Sequence, residues 1–204
     1  MSDWPSFTIE DLCVSVVDCV NRTAPVVEGP ILDTPDGPLP EGWTWGAFRD
    51  LAREVRQTVS PDDVPPDTPY VGLEHMPRRS FTLDQHGQAE EVSSLKSRFQ
   101  RSDILFGKIR PYFHKVVWAG FDGVSSTDAI VWRPVAGLAA QALATASSDA
   151  FVAYSVQTSN GTKMPRAKGA RLGMLPTTFR SRRKISSRVL LLNSARSSAV
   201  AAPI

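Results

Sequence analysis

Acidic side chains stop at Asp149. All 21 Asp and Glu residues lie at or before it, together with 13 of the 23 Lys and Arg residues, so residues 1–149 carry a formal charge of −8 and residues 150–204 carry +10. The net charge of +2 therefore hides a gradient. A basic end of this kind points to phosphate binding, with a solvated basic tail as the alternative. Cysteine is scarce: Cys13 and Cys19, six residues apart, fit neither a disulfide framework nor a CxxC zinc knuckle. The three histidines, His75, His86 and His114, stand 11 and 28 residues apart without a cysteine or carboxylate at ligand spacing, and no metal site is expected. No stretch approaches the roughly 18 uncharged apolar residues of a membrane span. The opening Met1-Ser-Asp-Trp-Pro5 has neither a basic n-region nor an apolar h-region. The expectation is a cytoplasmic chain with reduced thiols and no membrane partner.

The signatures of catalysis are missing as well. There is no GxxxxGKS/T phosphate loop and no GxGxxG after a strand, so neither a nucleotide nor a methyl-donor cofactor has a recognisable cradle, and no cofactor is expected. Asp122 and Asp128 can be read as paired carboxylates for metal-assisted cleavage, but loop-turn residues are the favoured reading, because no Glu-x-Lys pattern follows either. Ser125-Ser-Thr127 offers hydroxyls without a histidine nearby in sequence. The chain is expected to be non-catalytic.

What is present is a globular composition, 42% hydrophobic and 22% charged, enough for one main domain. Residues 1–69 hold ten of the 16 prolines, and Glu28 to Trp43 is too rich in Pro and Gly for a helix or a central strand. Before it, Phe7 to Val20 reads as a helical turn followed by a strand. After it, Trp45 to Val59 places Phe48, Leu51, Ala52 and Val55 at helical spacing, which predicts a short amphipathic helix ending before Ser60-Pro61, with a strand into a loop as the alternative. Pro69 to His75 reads as a short strand and Met76 to Glu91 as a polar connection. Ile104, Leu105 and Phe106 predict a strand broken by a turn at Gly107. Val116 to Ala119 and Ala129 to Trp132 predict further strands, and Gly120 to Asp128 between them has the Gly, Ser and Asp content of a loop. Gly137 to Tyr154, rich in Ala and Leu, predicts a helix, and Thr158 to Arg166 a loop marked by Asn160-Gly161 and Pro165. The fold class is α+β, a sheet of short strands with a few helices.

Four segments carry a family resemblance: Tyr70-Val-Gly-Leu-Glu74, Ser102-Asp-Ile-Leu-Phe-Gly-Lys-Ile-Arg-Pro-Tyr-Phe-His-Lys115, Phe121-Asp-Gly-Val-Ser-Ser-Thr-Asp128 and Ser159-Asn-Gly-Thr-Lys-Met-Pro-Arg166. In this order and at this spacing they resemble the DNA target-recognition domains of type I restriction-modification specificity subunits. Leu39-Pro-Glu-Gly-Trp43 is similar to the usual start of such a domain, so the resemblance covers about residues 39–168. It implies the target-recognition fold of the DNA methylase specificity type. It also implies sequence-specific binding of double-stranded DNA, and methyltransferase and nuclease/translocase subunits as partners that hold the catalysis. The residues agree with that role. Lys108, Arg110 and Lys115 crowd one strand-turn with Tyr112, Phe113 and His114, the cations suited to phosphate, while Tyr112 and Phe113 are more simply read as core. Ser159, Asn160, Thr162, Lys163 and Arg166 share a loop able to donate to phosphate or base edges. Arg78 and Arg79 are a third candidate contact.

The chain departs from the family pattern at both ends. A full specificity subunit is about twice this length, with two recognition domains separated by long helices, and no such helices are read here. Residues 39–176 are expected to form the recognition domain. Residues 1–38, where Asp18-Cys19 and Thr23-Ala-Pro25 resemble a second domain opening, are expected to be a partial first-domain remnant or an extended arm. Residues 177–204, rich in Arg, Ser and Ala, have the composition of an out-of-frame or disordered tail. The alternative to a working recognition component is a truncated remnant or interaction module that no longer assembles with the methyltransferase.

Overall fold

A computed structural model describes residues 31–34, 37–161 and 164–180. The expectations for Phe7 to Pro25, for Thr162 and Lys163, and for the tail from 181 lie outside the described residues. The described residues divide into two compact units, residues 31–34 and 37–45 with 178–180, and residues 46–161 with 164–177. Of the smaller unit, β1 (Ile31–Leu32) and β2 (Leu39–Pro40) form an antiparallel pair of two residues each, all that the Pro- and Gly-rich segment supports. β3 spans Trp43–Ala47.

The larger unit begins with a correction. Trp45 to Val59 is not one helix: α1 is a single turn, Phe48–Leu51, followed by β4 (Ala52–Val55) and β5 (Thr58–Val59). Phe48, Leu51 and Ala52 are buried as the helical spacing requires, but from Ala52 the chain extends to pair with a later strand, and sheet pairing overrides the periodicity. The remaining strands are β6 (Pro69–Val71), β7 (Gly87–Gln88), β8 (Lys96–Phe99), β9 (Ile104–Gly107), β10 (Val116–Trp118), β11 (Gly123–Ser126) and β12 (Ala129–Pro134). β9, β10 and β12 stand where the apolar runs place them, and β8 was not foreseen. α2 (Ala139–Ala146) and α3 (Asp149–Gln157) replace the single helix expected over Gly137 to Tyr154. The break is chemical: the Ser148 hydroxyl accepts the Phe151 N–H at 3.1 Å and caps a new helix whose first residue is acidic. α4 (Gly169–Leu172) follows, and then β13 (Pro176–Arg180), which pairs with β3.

The strands form an antiparallel sheet in the order β10-β9-β12-β4 and a mixed sheet in the order β5-β8-β11-β6-β7, in which β11 and β6 run parallel. Leu105, Val117 and Val131 from the first sheet meet Val71 and Phe99 from the second in one buried cluster. The opposite face of the first sheet is covered by helices, with Phe48 at 5.0 Å from Trp132 and 4.6 Å from Phe151, and Phe151 at 5.4 Å from Phe106 between ring centroids. Edge-to-face pairs of this kind contribute about 0.5–1.5 kcal/mol each beyond area burial. Covering on both faces explains why Ile104, Leu105 and Phe106 are a continuous apolar run rather than an alternating one.

Two further expectations are corrected. Gly120 to Asp128 is not a plain loop, since its middle is β11, the central strand of the mixed sheet, registered against β8 from Gly123↔Phe99 to Ser126↔Lys96. A Cβ on Gly123 would lie 2.5 Å from the Pro69 carbonyl oxygen and 2.8 Å from the Phe99 ring, so close approach of two neighbours demands the glycine. Nor does the chain turn at Gly107. That residue ends β9 in register with Ala129, and its missing side chain admits Lys115 and Leu73. At the β8–β9 corner the buried Asp103 carboxylate accepts the Gln100 N–H at 2.8 Å and a bidentate pair from Arg133 of β12 at 2.9 Å each, which raises the Arg133 pKa.

Substituting Gly123→Ala overpacks the centre of the mixed sheet and is expected to lower stability by about 1–3 kcal/mol. Urea denaturation checks this, and a midpoint equal to that of the parent chain contradicts the central placement of β11.

Candidate nucleic-acid interface

The predicted contact residues are brought together by backbone pairing beyond the end of β9. The Lys108 N–H donates to the Asp128 carbonyl at 2.9 Å, the Ala167 N–H to the Lys108 carbonyl at 2.8 Å, and the Arg110 N–H to the Pro165 carbonyl at 2.9 Å. Ile109 and Arg166 thereby form an antiparallel bridge, and Arg166 in turn bridges Asn160 through a reciprocal pair of 2.9 and 3.2 Å. Two motifs about fifty residues apart in sequence are thus neighbouring extended segments. Ser159 lies at their margin, its hydroxyl donating to the Val156 carbonyl at 2.8 Å.

The turn comes at Arg110, whose φ of 48° places it in the left-handed region, and ends at His114, with φ 55°. Between them Pro111–Phe113 is one 3₁₀ turn with Pro111 buried. Tyr112, expected as core, is 51% exposed at its tip, because the turn points that position away from the sheet. Phe113 is half-buried, 5.0 Å from the Tyr112 ring centroid. Arg78 lies over the Phe113 ring at 4.0 Å, and the Arg110 guanidinium lies 5.9 Å from the same centroid. The third predicted segment is therefore joined to the first through one aromatic ring.

The cations differ in how they are paired. Arg79 meets Asp149 at 3.2 Å and Arg166 meets Asp128 at 3.4 Å. The His114 Nε2–H donates to the Ser147 carbonyl at 2.6 Å, since a carbonyl only accepts, and its Nδ1 lies 3.5 Å from Asp149. The Lys115 ammonium donates to the Leu73 carbonyl. Arg78 and Arg110 have no ion-pair partner among the described residues. Leu73, Glu74, Ile109, Arg110, Phe113, Lys115 and Met164 line an open cavity of about 260 Å³ beside the turn. Counting Arg78, Arg79, Lys108, Arg110, Lys115 and Arg166 against Glu74, Asp128 and Asp149, the surface is an excess of cations around an aromatic turn. Tyr112, read from the sequence as core, is exposed beside them, as is Met164 of the predicted loop.

The surface has the chemistry of polyanion binding. Asp122 and Asp128 flank β11 and are engaged separately, Asp122 accepting the Arg101 N–H at 2.6 Å. Among the described residues no three His, Cys, Asp or Glu side chains are grouped to hold a metal ion, and no helix is long and apolar enough to cross a membrane.

No protein-family model matches the sequence. The type I restriction enzyme EcoDI specificity subunit of Escherichia coli is 34% identical over 94 residues, covering 44% of this chain and 20% of that protein. The chain therefore spans about a fifth of the length of this curated relative. Among solved structures, one described as the structural basis of complex assembly and conformational transition of the type I R-M system superposes with a TM-score of 0.61 at 15% identity, over 78% of this chain and 43% of the other. The HsdS subunit from Thermoanaerobacter tengcongensis superposes with a TM-score of 0.56 at 18% identity, over 78% and 44%. The α+β architecture is thus one also found in a specificity subunit, and this chain matches less than half of it.

Burial pushes the Lys115 ammonium below the ordinary lysine value of 10.5, helped by nearby Arg78 and opposed by Glu74, and burial likewise lowers Lys96. Between the lowered values and 10.5 the unfolded chain holds more protons on these lysines than the folded one, so stability rises with pH across that window. Tyr70, raised above 10.0 mainly by burial, acts in the opposite sense only from there upward. Denaturant unfolding of Lys115→Met as the pH approaches 10.0 from below, before Tyr70 begins to act, is expected to show a shallower gain in stability than the parent chain. Equal gains contradict the account of a charged lysine held partly out of water.

Proposed function

With the specificity-subunit fold as the premise, we propose that this chain is a DNA target-recognition module of a type I restriction-modification specificity subunit. It binds double-stranded DNA sequence-specifically, without catalysis or a cofactor of its own, in the cytoplasm. Its recognition domain occupies residues 39–176. Methyltransferase and nuclease/translocase subunits carry out the chemistry on the DNA it holds.

One observation carries this reading: two separate sequence segments deliver Arg78 on one side and Arg110 with Lys115 on the other to the same aromatic turn, and the two arginines have no acidic partner among the described residues. An unneutralised guanidinium at a surface is suited to DNA, because its planar fork matches two acceptors, whether phosphate oxygens or the edge of a base. Phosphate contacts supply affinity and register, and release of condensed counterions makes that affinity depend on salt. Arg78, Lys108, Lys115 and Arg166 are assigned to the backbone contact, as are the donors of Ser159, Asn160, Thr162 and Lys163. Arg79 contributes through the long-range field, its charge being shared with Asp149.

Fluorescence anisotropy of the 204-residue chain with labelled duplexes at two salt concentrations tests the reading. Binding is expected to weaken with salt. Arg78→Ala is expected to weaken binding to all duplexes alike and to reduce the salt slope by about 1. Absence of both binding and salt dependence contradicts the proposal.

A further inference from the structure

Four non-glycine residues among those described adopt positive φ, and three of them, Arg79, Arg110 and His114, belong to the interface. They are locked together. The Arg79 N–H donates to the His114 carbonyl at 3.0 Å, the Phe113 N–H to the Arg110 carbonyl at 2.9 Å, and the Arg110 N–H to the Pro165 carbonyl at 2.9 Å. The buried His114 ring is anchored on Ser147. A left-handed conformation in a long or β-substituted side chain persists only where its surroundings over-determine it, and such strain concentrates at sites that need a fixed geometry. A phosphate contact does not need this, since a flexible lysine serves as a point charge. Reading a base edge does, because two parallel donors must meet two acceptors at fixed spacing.

Within this rigid turn the arginines are not equivalent. Arg79 faces Asp149, and the Arg78 guanidinium lies on the Phe113 face. Arg110 is exposed, without an acidic partner among the described residues, and its Cα is held on both sides by backbone hydrogen bonds. We propose that the Arg110–Tyr112 turn reads one base pair of the target, the Arg110 guanidinium addressing O6 and N7 of a guanine and the exposed Tyr112 packing beside it, while Arg79 holds the turn. The proposal rests on the DNA-recognition reading above and deepens it.

The test is selection of bound duplexes from a random pool by the full 204-residue chain, followed by affinity measurements on the selected sequence and its single-position changes. The parent chain is expected to select a site with a fixed G·C pair that Arg110→Lys no longer requires. That variant keeps the charge and the salt slope, and its preference at that pair is expected to fall about tenfold with the other positions unchanged. Arg110→Asn, whose side chain tolerates the left-handed backbone, guards against misfolding and is expected to lose the same preference. Retention of every preference by both variants overturns the proposal. So does a uniform loss of affinity with unchanged discrimination, which makes Arg110 a phosphate contact. A parent chain that binds no duplex overturns the DNA-recognition reading itself.

Discussion

The antiparallel bridge between Lys108–Arg110 and Pro165–Ala167 is the contact on which the interface depends. Its hydrogen bonds, Ala167 N–H to Lys108 and Arg110 N–H to Pro165, are ordinary backbone interactions, 2.8 and 2.9 Å long. Each contributes only about 0.5–1.5 kcal/mol net. Their effect is geometric. They extend β9 past the end of the sheet, fix where the turn at Arg110 begins, and set the loop containing Asn160 and Arg166 beside it. Without them the cations of the two segments have no reason to share a surface.

The layers behind the bridge explain its rigidity. β9 is held by β10 on one side and β12 on the other, and both of its faces are covered, by the mixed sheet and by the helices. Asp103, almost fully buried at the start of this strand, joins the β8–β9 corner to β12 through Arg133. At the far end, the start of α3 meets the turn, where Asp149 serves both Arg79 and His114. A strand pinned at both ends is a suitable base for a turn whose flanking residues occupy strained backbone conformations.

Much of this scaffold is legible in the sequence, for a physical reason. Ile104 to Phe106, Val116 to Trp118 and Ala129 to Trp132 are buried on two faces, and such strands require a continuous apolar run. β11 is not legible, because Gly123-Val-Ser-Ser126 has turn composition and becomes a strand only through the neighbours that leave no room for a side chain at Gly123. The spacing of Phe48, Leu51, Ala52 and Val55 fits a helix and fits equally a turn running into a strand, and only the partner strand β12 decides. At the interface, residue types marked Lys108, Arg110, Lys115 and Arg166 as cations of interest. The arrival of Arg166 beside the other three, the exposure of Tyr112 and the left-handed backbone at Arg110 and His114 arise from tertiary contacts that residue type does not announce.

Hydrogen exchange of the full chain with and without duplex DNA tests the central claim most directly, because it reports on the three segments together and without mutation. The account predicts that DNA slows exchange jointly in peptides covering residues 76–80, 108–115 and 164–167, with the β4 edge unchanged. Protection in one of these segments without the others, or protection confined to a different face, contradicts it.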